Sequence, residues 1–207
     1  MGKMDEMILA VDRDVLFENE AYAFQGVLTD GQGVKHVMNN LKMYKEIRRG
    51  DAEEDETLKQ PIPYVILKRG DEVFVYKRLS GGGEARLHDQ LSIGVGGHMN
   101  RIKGVTTWYH TLMINLYREL REELNIDIDS RLIPEPKIVG LINDDNGDAG
   151  LYHIGILMVI ELPLDTEVTV REIEQLEGYW IRSKDLKKEP LFESLETWSQ
   201  FAVEAIV

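Results

Sequence analysis

TTWYHTLMINLYRELREELN, residues 106 to 125, carries the longest helical pattern in the chain. On a wheel of about 100° per residue, Met113, Leu116, Tyr117, Leu120 and Leu124 fall in one narrow stripe, which must face a core. Glu119, Glu122 and Glu123 gather roughly 125° away from that stripe, because positions three and four apart are neighbours on a helix surface. Like charges at this spacing cost a helix roughly 0.2–0.5 kcal/mol per pair unless something neutralises them. Two neutralisers are open at this point. One is a divalent cation, with Mg²⁺ suited to an all-oxygen donor set. The other is ordinary ion pairing with Arg118 and Arg121 on a solvated face.

The segments on either side set the fold class. Upstream, PYVILKRGDEVFVYKR holds two β-rich runs, 64 to 68 and 72 to 78, joined by Arg69-Gly70-Asp71 as a hairpin. Leu91 to Val95 reads as a strand entering Gly96-Gly97. Downstream, 137 to 142 and 151 to 161 read as strands around the turn-rich NDDNGDAG. A short strand at 178 to 181 and a helix over 191 to 206 close the chain. Strands on both sides of one long helix predict a layered α+β domain.

Further out, the first 60 residues read as a separate extension of strands plus helix. Residues 8 to 29 alternate loosely as strands, and Val34, Val37, Met38, Leu41 and Tyr44 recur at helical spacing over 34 to 47. RGDAEEDETLKQ, 49 to 60, predicts an exposed connector, so the boundary is placed between 1–60 and 61–207. The extension either continues the sheet or forms a homodimer contact.

Composition narrows the chemistry. The 207 residues include no cysteine, which excludes disulfides, thiolate catalysis and cysteine-based zinc sites. A net charge of -13 argues against a nucleic-acid polymer as partner, since that affinity needs clustered Lys and Arg. A small phosphorylated ligand remains compatible, because a metal held by carboxylates turns an acidic pocket towards phosphate. Asp5, Glu6 and Asp12 break the apolar start, and Ile154 to Ile160 is the longest uninterrupted apolar run, far below the ~20 residues of a spanning helix. The expectation is a soluble, cytoplasmic protein with no membrane partner.

RELREELNI, 118 to 126, resembles the second half of the Nudix box, Arg-Glu-apolar-x-Glu-Glu-x-Gly-apolar, and SIGVGGHMN, 92 to 100, resembles the strand and glycine pair that precede it. The resemblance runs over roughly residues 61 to 190. It implies a Nudix-type α/β/α sandwich with a mixed sheet, and a hydrolase cleaving the diphosphate bond of a nucleoside diphosphate linked to another moiety. It further implies Mg²⁺, or Mn²⁺, on Glu119, Glu122 and Glu123, with a carbonyl oxygen from Gly96 or Gly97. Glu119 or a neighbouring carboxylate would serve as base, and Arg118 would orient the set. Two departures stand out: His110 occupies the place of a box glutamate, and Asn125 that of the last glycine. The chain between Gly97 and Arg118 is also longer than the family spacing. The alternative these departures raise is a Nudix-fold module that binds nucleotide without turnover. Asn125 fits a helix end, since Asn tolerates the left-handed conformation.

Near the predicted site, Arg78, Glu84 and Arg86 offer phosphate-facing or ion-pairing groups, and His98 and His153 are candidate substrate contacts. Asp144, Asp145 and Asp148 lack EF-hand order and read as a hairpin turn. Glu174 and Glu177 precede GYWIRSKDL, a place where the family sometimes carries a distal carboxylate.

Overall fold

A computed structural model describes residues 2–78, 90–129, 131–147, 150–171 and 176–207, with Arg78 through its backbone. In chain order the first elements are β1 (Met7–Asp12), α1 (Arg13–Leu16), β2 (Gly26–Leu28), α2 (Gly31–Asn40), β3 (Lys45–Arg48), α3 (Arg49–Ala52), β4 (Leu58–Arg69) and β5 (Glu72–Arg78). Then come β6 (Leu91–Ser92), β7 (Gly94–Gly96), α4 (Trp108–Glu123), β8 (Leu124–Ile126), β9 (Lys137–Asn143), β10 (His153–Glu161), β11 (Val168–Val170), β12 (Leu176–Arg182) and α5 (Thr197–Ile206). The class is α+β with a mixed sheet, as expected. None of the described helices is long and apolar enough to cross a membrane.

Two compact units divide the chain. The first comprises Met1–Pro63, Gly96–Tyr117 and Gly140–Ile156. Its β1 runs antiparallel to β3, from Met7 opposite Arg48 to Ala10 opposite Lys45, and then meets the start of β4 at Val11 and Lys59. Ile8, Ala10, Ala52 and Leu58 form a buried cluster with Ile47 against it. β2 lies antiparallel on β9, Val27 opposite Ile142. α2 starts where Asp30 accepts a hydrogen bond from the Gly33 amide at 2.7 Å, which satisfies one of the donors a helix start leaves open.

Two sequence expectations change here. The helix expected over 34 to 47 ends at Asn40, passes through a single tight turn, and continues as β3. Helical spacing of apolar residues does persist to Tyr44, but β1 offers a row of backbone partners, and that ladder outweighs local propensity at Lys45–Arg48. The run 49 to 60 is no exposed connector: it forms α3 and the head of β4, and Ala52, Lys59 and Gln60 are fully buried.

The second unit comprises Tyr64–Val95, Arg118–Val139 and Leu157–Val207. β12 pairs antiparallel with the whole of β5, and β6 pairs with β5 at Tyr76 and Lys77. Gly178 faces Phe74 so closely that a Cβ there would lie 2.4 Å from the ring, so glycine is required by that ring's packing. Val65, Ile66, Leu67, Val73 and Val75 are buried, the near-continuous apolar run expected of strands covered on both faces. α5 begins at Glu196, whose carboxylate accepts from the amides of Trp198 and Ser199 and from the buried Tyr64 hydroxyl at 2.7 Å. Burial first, and the Glu196 charge second, push the Tyr64 hydroxyl well above its ordinary pKa.

Candidate functional site

α4 starts at a local cap. The His110 amide donates to the Thr107 hydroxyl at 3.3 Å, and the His110 ring Nδ1 lies 2.8 Å from the same oxygen. His110, in the place of a box glutamate, therefore sits exposed on the opening turn and completes its capping. Along the helix Met113, Leu116 and Leu120 are buried as the apolar stripe requires, joined by Leu112, Thr111 and Asn115. Asn115 returns its amide to the Thr111 and Asn100 carbonyls and accepts from the Asn100 amide, so a polar residue is accommodated inside by three satisfied bonds.

The other end of α4 runs from Glu123 straight into β8, without the left-handed turn expected at Asn125. Asn125 is extended and pairs with Thr169 in the β8–β11 ladder. A strand residue needs no positive φ, so a glycine is unnecessary there. Arg171 closes this end: its amide donates to the Glu123 carbonyl at 2.8 Å and its Nε to the Leu124 carbonyl at 3.0 Å. A cation on the last carbonyls of a helix is favoured by the helix dipole. Nothing in the spacing of Arg171 marked it for this role.

Between those ends stand the carboxylates. Arg118 Nη2 donates to Glu119 Oε1 at 2.7 Å, with the two side chains 33% and 13% exposed. Glu122 is exposed and Glu123 half-buried. Three carboxylates and no cysteine make a donor set suited to a hard divalent ion. Among the described residues, no three His, Asp or Glu side chains are gathered closely enough in this conformation to hold one.

The remaining predicted residues are distributed as follows. Glu84, Arg86, Asp148 and Glu174 lie outside the described residues, and Arg78 ends β5. Glu177 is exposed on β12. Gly96 closes β7, where a Cβ would stand 2.2 Å from the Pro63 carbonyl oxygen, so packing alone requires glycine. Gly97 follows, and after it His98 meets His153: their Nε2 atoms are 3.1 Å apart. Each is a candidate substrate contact in the sequence, with nothing to link the two. They are 55 positions apart, so only the fold could pair them.

Asp145 lies in the turn between the neighbouring strands β9 and β10, as expected, and also anchors a charged network there. Arg13 grips both of its carboxylate oxygens at 2.8 Å, Lys59 Nζ reaches Oδ1 at 2.8 Å, and Asn143 Nδ2 reaches Oδ2 at 3.1 Å. Lys59 also donates to the Gly150 carbonyl at 2.8 Å and has no exposed side-chain surface. Burial pushes the Asp145 carboxyl up, but the hydrogen bonds from Arg13 and Lys59 outweigh it and hold the group well below the ordinary carboxylate range. For Lys59 the order is reversed: burial lowers its pKa, and the Asp145 bond recovers only part. Arg13 also forks onto Glu20, which sits with Glu18 and Asn19 in three successive left-handed conformations.

No family model matches the chain. Protein YmaB of Bacillus subtilis (strain 168) is 49% identical over 207 residues, covering all of both chains. The crystal structure of Tm1382, a candidate Nudix hydrolase, superimposes with a TM-score of 0.76 at 28% identity, covering 96% of this chain and 97% of that one. The MutT Nudix hydrolase of Burkholderia pseudomallei covers 72% of this chain and 98% of its own, with a TM-score of 0.51 at 16% identity, a likeness of fold alone. The chain thus has the Nudix fold and belongs to the family of Protein YmaB.

Proposed function

We propose that this protein is a divalent-metal-dependent hydrolase that cleaves the diphosphate bond of a nucleoside diphosphate linked to another moiety. The observation that carries the reading is the helix α4, which sets Glu119, Glu122 and Glu123 at neighbouring positions on its last turns, with Arg118 bonded to Glu119. The Nudix fold supports it.

Glu119, Glu122 and Glu123 would hold Mg²⁺ or Mn²⁺, which when bound supplies charge neutralisation at the diphosphate and a more acidic water. Glu122 is exposed, so turning its side chain towards an ion costs only rotamer freedom. Arg118 fixes one Glu119 oxygen by a charge-assisted bond, which orients the carboxylate. Glu123 is held by its backbone, through Arg171, at a defined height on the helix. Glu119 or a neighbouring carboxylate would take the proton of the attacking water, a step that works by positioning more than by covalent chemistry.

The test is product release from nucleotide sugars, dinucleoside polyphosphates and nucleoside triphosphates with Mg²⁺ or Mn²⁺, with Glu123→Gln alongside. Cleavage that vanishes in the variant and on chelation supports the reading. Cleavage unchanged in Glu123→Gln removes the assigned site. A second reading follows from His110, whose ring is engaged at the helix cap where a box glutamate would stand. It makes the protein a nucleotide-binding module, and it predicts saturable binding with no turnover across the same panel.

A further inference from the structure

A second group of ligand-type atoms lies within the first unit and shares no residue with the carboxylates of α4. His98, two positions beyond β7, and His153, the first residue of β10, face each other Nε2 to Nε2 at 3.1 Å, with ring centroids 5.1 Å apart and the rings near T-shaped. Gln60 of β4 brings its side-chain oxygen to 2.8 Å from His98 Nε2. Glu53 Oε1 stands 3.9 Å from the same nitrogen and is itself held by Arg49 at 2.6 Å.

The orientation of Gln60 is set by its other bonds. Its side-chain nitrogen donates to the Ala52 carbonyl at 3.1 Å, its backbone amide donates to the Tyr152 carbonyl at 2.7 Å, and the residue is fully buried. The atom facing His98 is therefore an acceptor oxygen. A neutral imidazole nitrogen carries either one proton or one lone pair. A proton on His98 Nε2 has to be shared between Gln60 and His153. A proton on His153 Nε2 leaves the lone pair of His98 against the Gln60 oxygen. Neither placement gives both contacts a full hydrogen bond, whereas a cation accepts lone pairs from all three atoms at once.

The spacing is right for such an ion. Zinc–nitrogen bonds of about 2.0–2.1 Å at a tetrahedral angle place two ligand nitrogens about 3.3 Å apart, close to the 3.1 Å found here. Imidazole donors favour zinc, copper or nickel over magnesium and calcium. We infer that His98, His153 and Gln60 form a binding site for a divalent transition-metal ion of the zinc type, with the Glu53 carboxylate as a charge partner at its rim. The donors come from β4, the start of β10 and the segment after β7, and the fully buried Gln60 gives the set a rigid member.

The experiment uses the full chain stripped of metal and titrated with Cu²⁺ for electron paramagnetic resonance and with Zn²⁺ for affinity and thermal melting. One ion per chain with coupling to two imidazole nitrogens is expected. His98→Asn and His153→Asn should each lose that coupling, and Gln60→Leu should weaken binding by about 10–100-fold, the range for groups that support a site. The triple variant Glu119→Gln, Glu122→Gln, Glu123→Gln should retain the nitrogen signal, which separates this site from the carboxylate helix. An oxygen-only spectrum in the wild type, nitrogen coupling that survives in the doubly substituted histidine variant, or no stoichiometric ion would overturn the inference and leave a shared-proton histidine pair. If a histidine variant fails to melt cooperatively, the wild-type spectrum decides alone.

Discussion

Asp145, in the turn between β9 and β10, and Glu122, near the end of α4, are treated in opposite ways by their surroundings. Asp145 is bracketed by Arg13, Lys59 and Asn143, four hydrogen bonds onto two oxygens. Glu122 reaches into solvent, and its two acidic neighbours share the same helix face. A carboxylate whose lone pairs are taken by donors of its own chain, most of them cationic, has no capacity left for a ligand, and its value is structural. A group of like charges at helical spacing raises the energy of the fold slightly and is poised for a cation from outside. Acidity alone does not mark a site: Asp145 is enclosed by donors of its own chain, whereas Glu122 stands in solvent on the same helix as Glu119, which Arg118 holds.

The contrast can be broken most forcefully at Glu123. Glu123→Gln is expected to lower hydrolysis by about 10²–10⁴-fold, the usual range for removing an acid–base group, while the melting temperature stays close to wild type. A comparable loss of stability would put Glu123 in the same class as Asp145. Asp145→Ala is expected to do the reverse. It leaves Lys59 buried without its anion, at a cost of about 3 kcal/mol in urea unfolding, at the low end for a broken buried pair because Asp145 keeps some exposure. A variant as stable as wild type would show that the network is ornamental.

The pH dependence sharpens the same contrast. Asp145 has its folded-state pKa depressed, so its contribution is complete above the ordinary carboxylate value of about 3.9 and is lost as pH falls through the lower folded value. Lys59 is also depressed, but as a base it behaves with the opposite sense. Between its lowered folded value and the ordinary value of about 10.4 the unfolded chain binds the extra proton, so stability rises with pH across that window. Unfolding free energies measured across acid and alkaline pH should lose the first slope in Asp145→Asn and the second in Lys59→Met. Unaltered slopes would assign them to other groups. The smallest effect belongs to Glu122→Gln, which relieves one like-charge pair on α4 and is expected to raise the melting temperature by about 1 °C. A fall instead would reveal a neutralising partner for Glu122.

Much of the scaffold could be read from residue order because periodicity encodes burial. The stripe Met113, Leu116, Leu120 goes inside as its spacing demands, and β5, β9 and β10 stand close to where their β-rich runs predicted. The failures share one cause. Lys45–Arg48 leaves its helical pattern because β1 is there to pair with, and Asn125 becomes a strand because β11 lies opposite. Lys59 hides inside a run that reads as solvated, because its partner is 86 positions away.

By itself the sequence determined the α+β class, the position of α4 and the places of Glu119, Glu122 and Glu123 on its last turns, since a helix fixes neighbouring positions through local geometry alone. Only the tertiary structure decided that His98 meets His153 and Gln60, that Asp145 is consumed by Arg13 and Lys59, and that Arg171 closes α4. Those contacts join residues far apart in the chain, and no local periodicity carries information about a partner that arrives on a different strand.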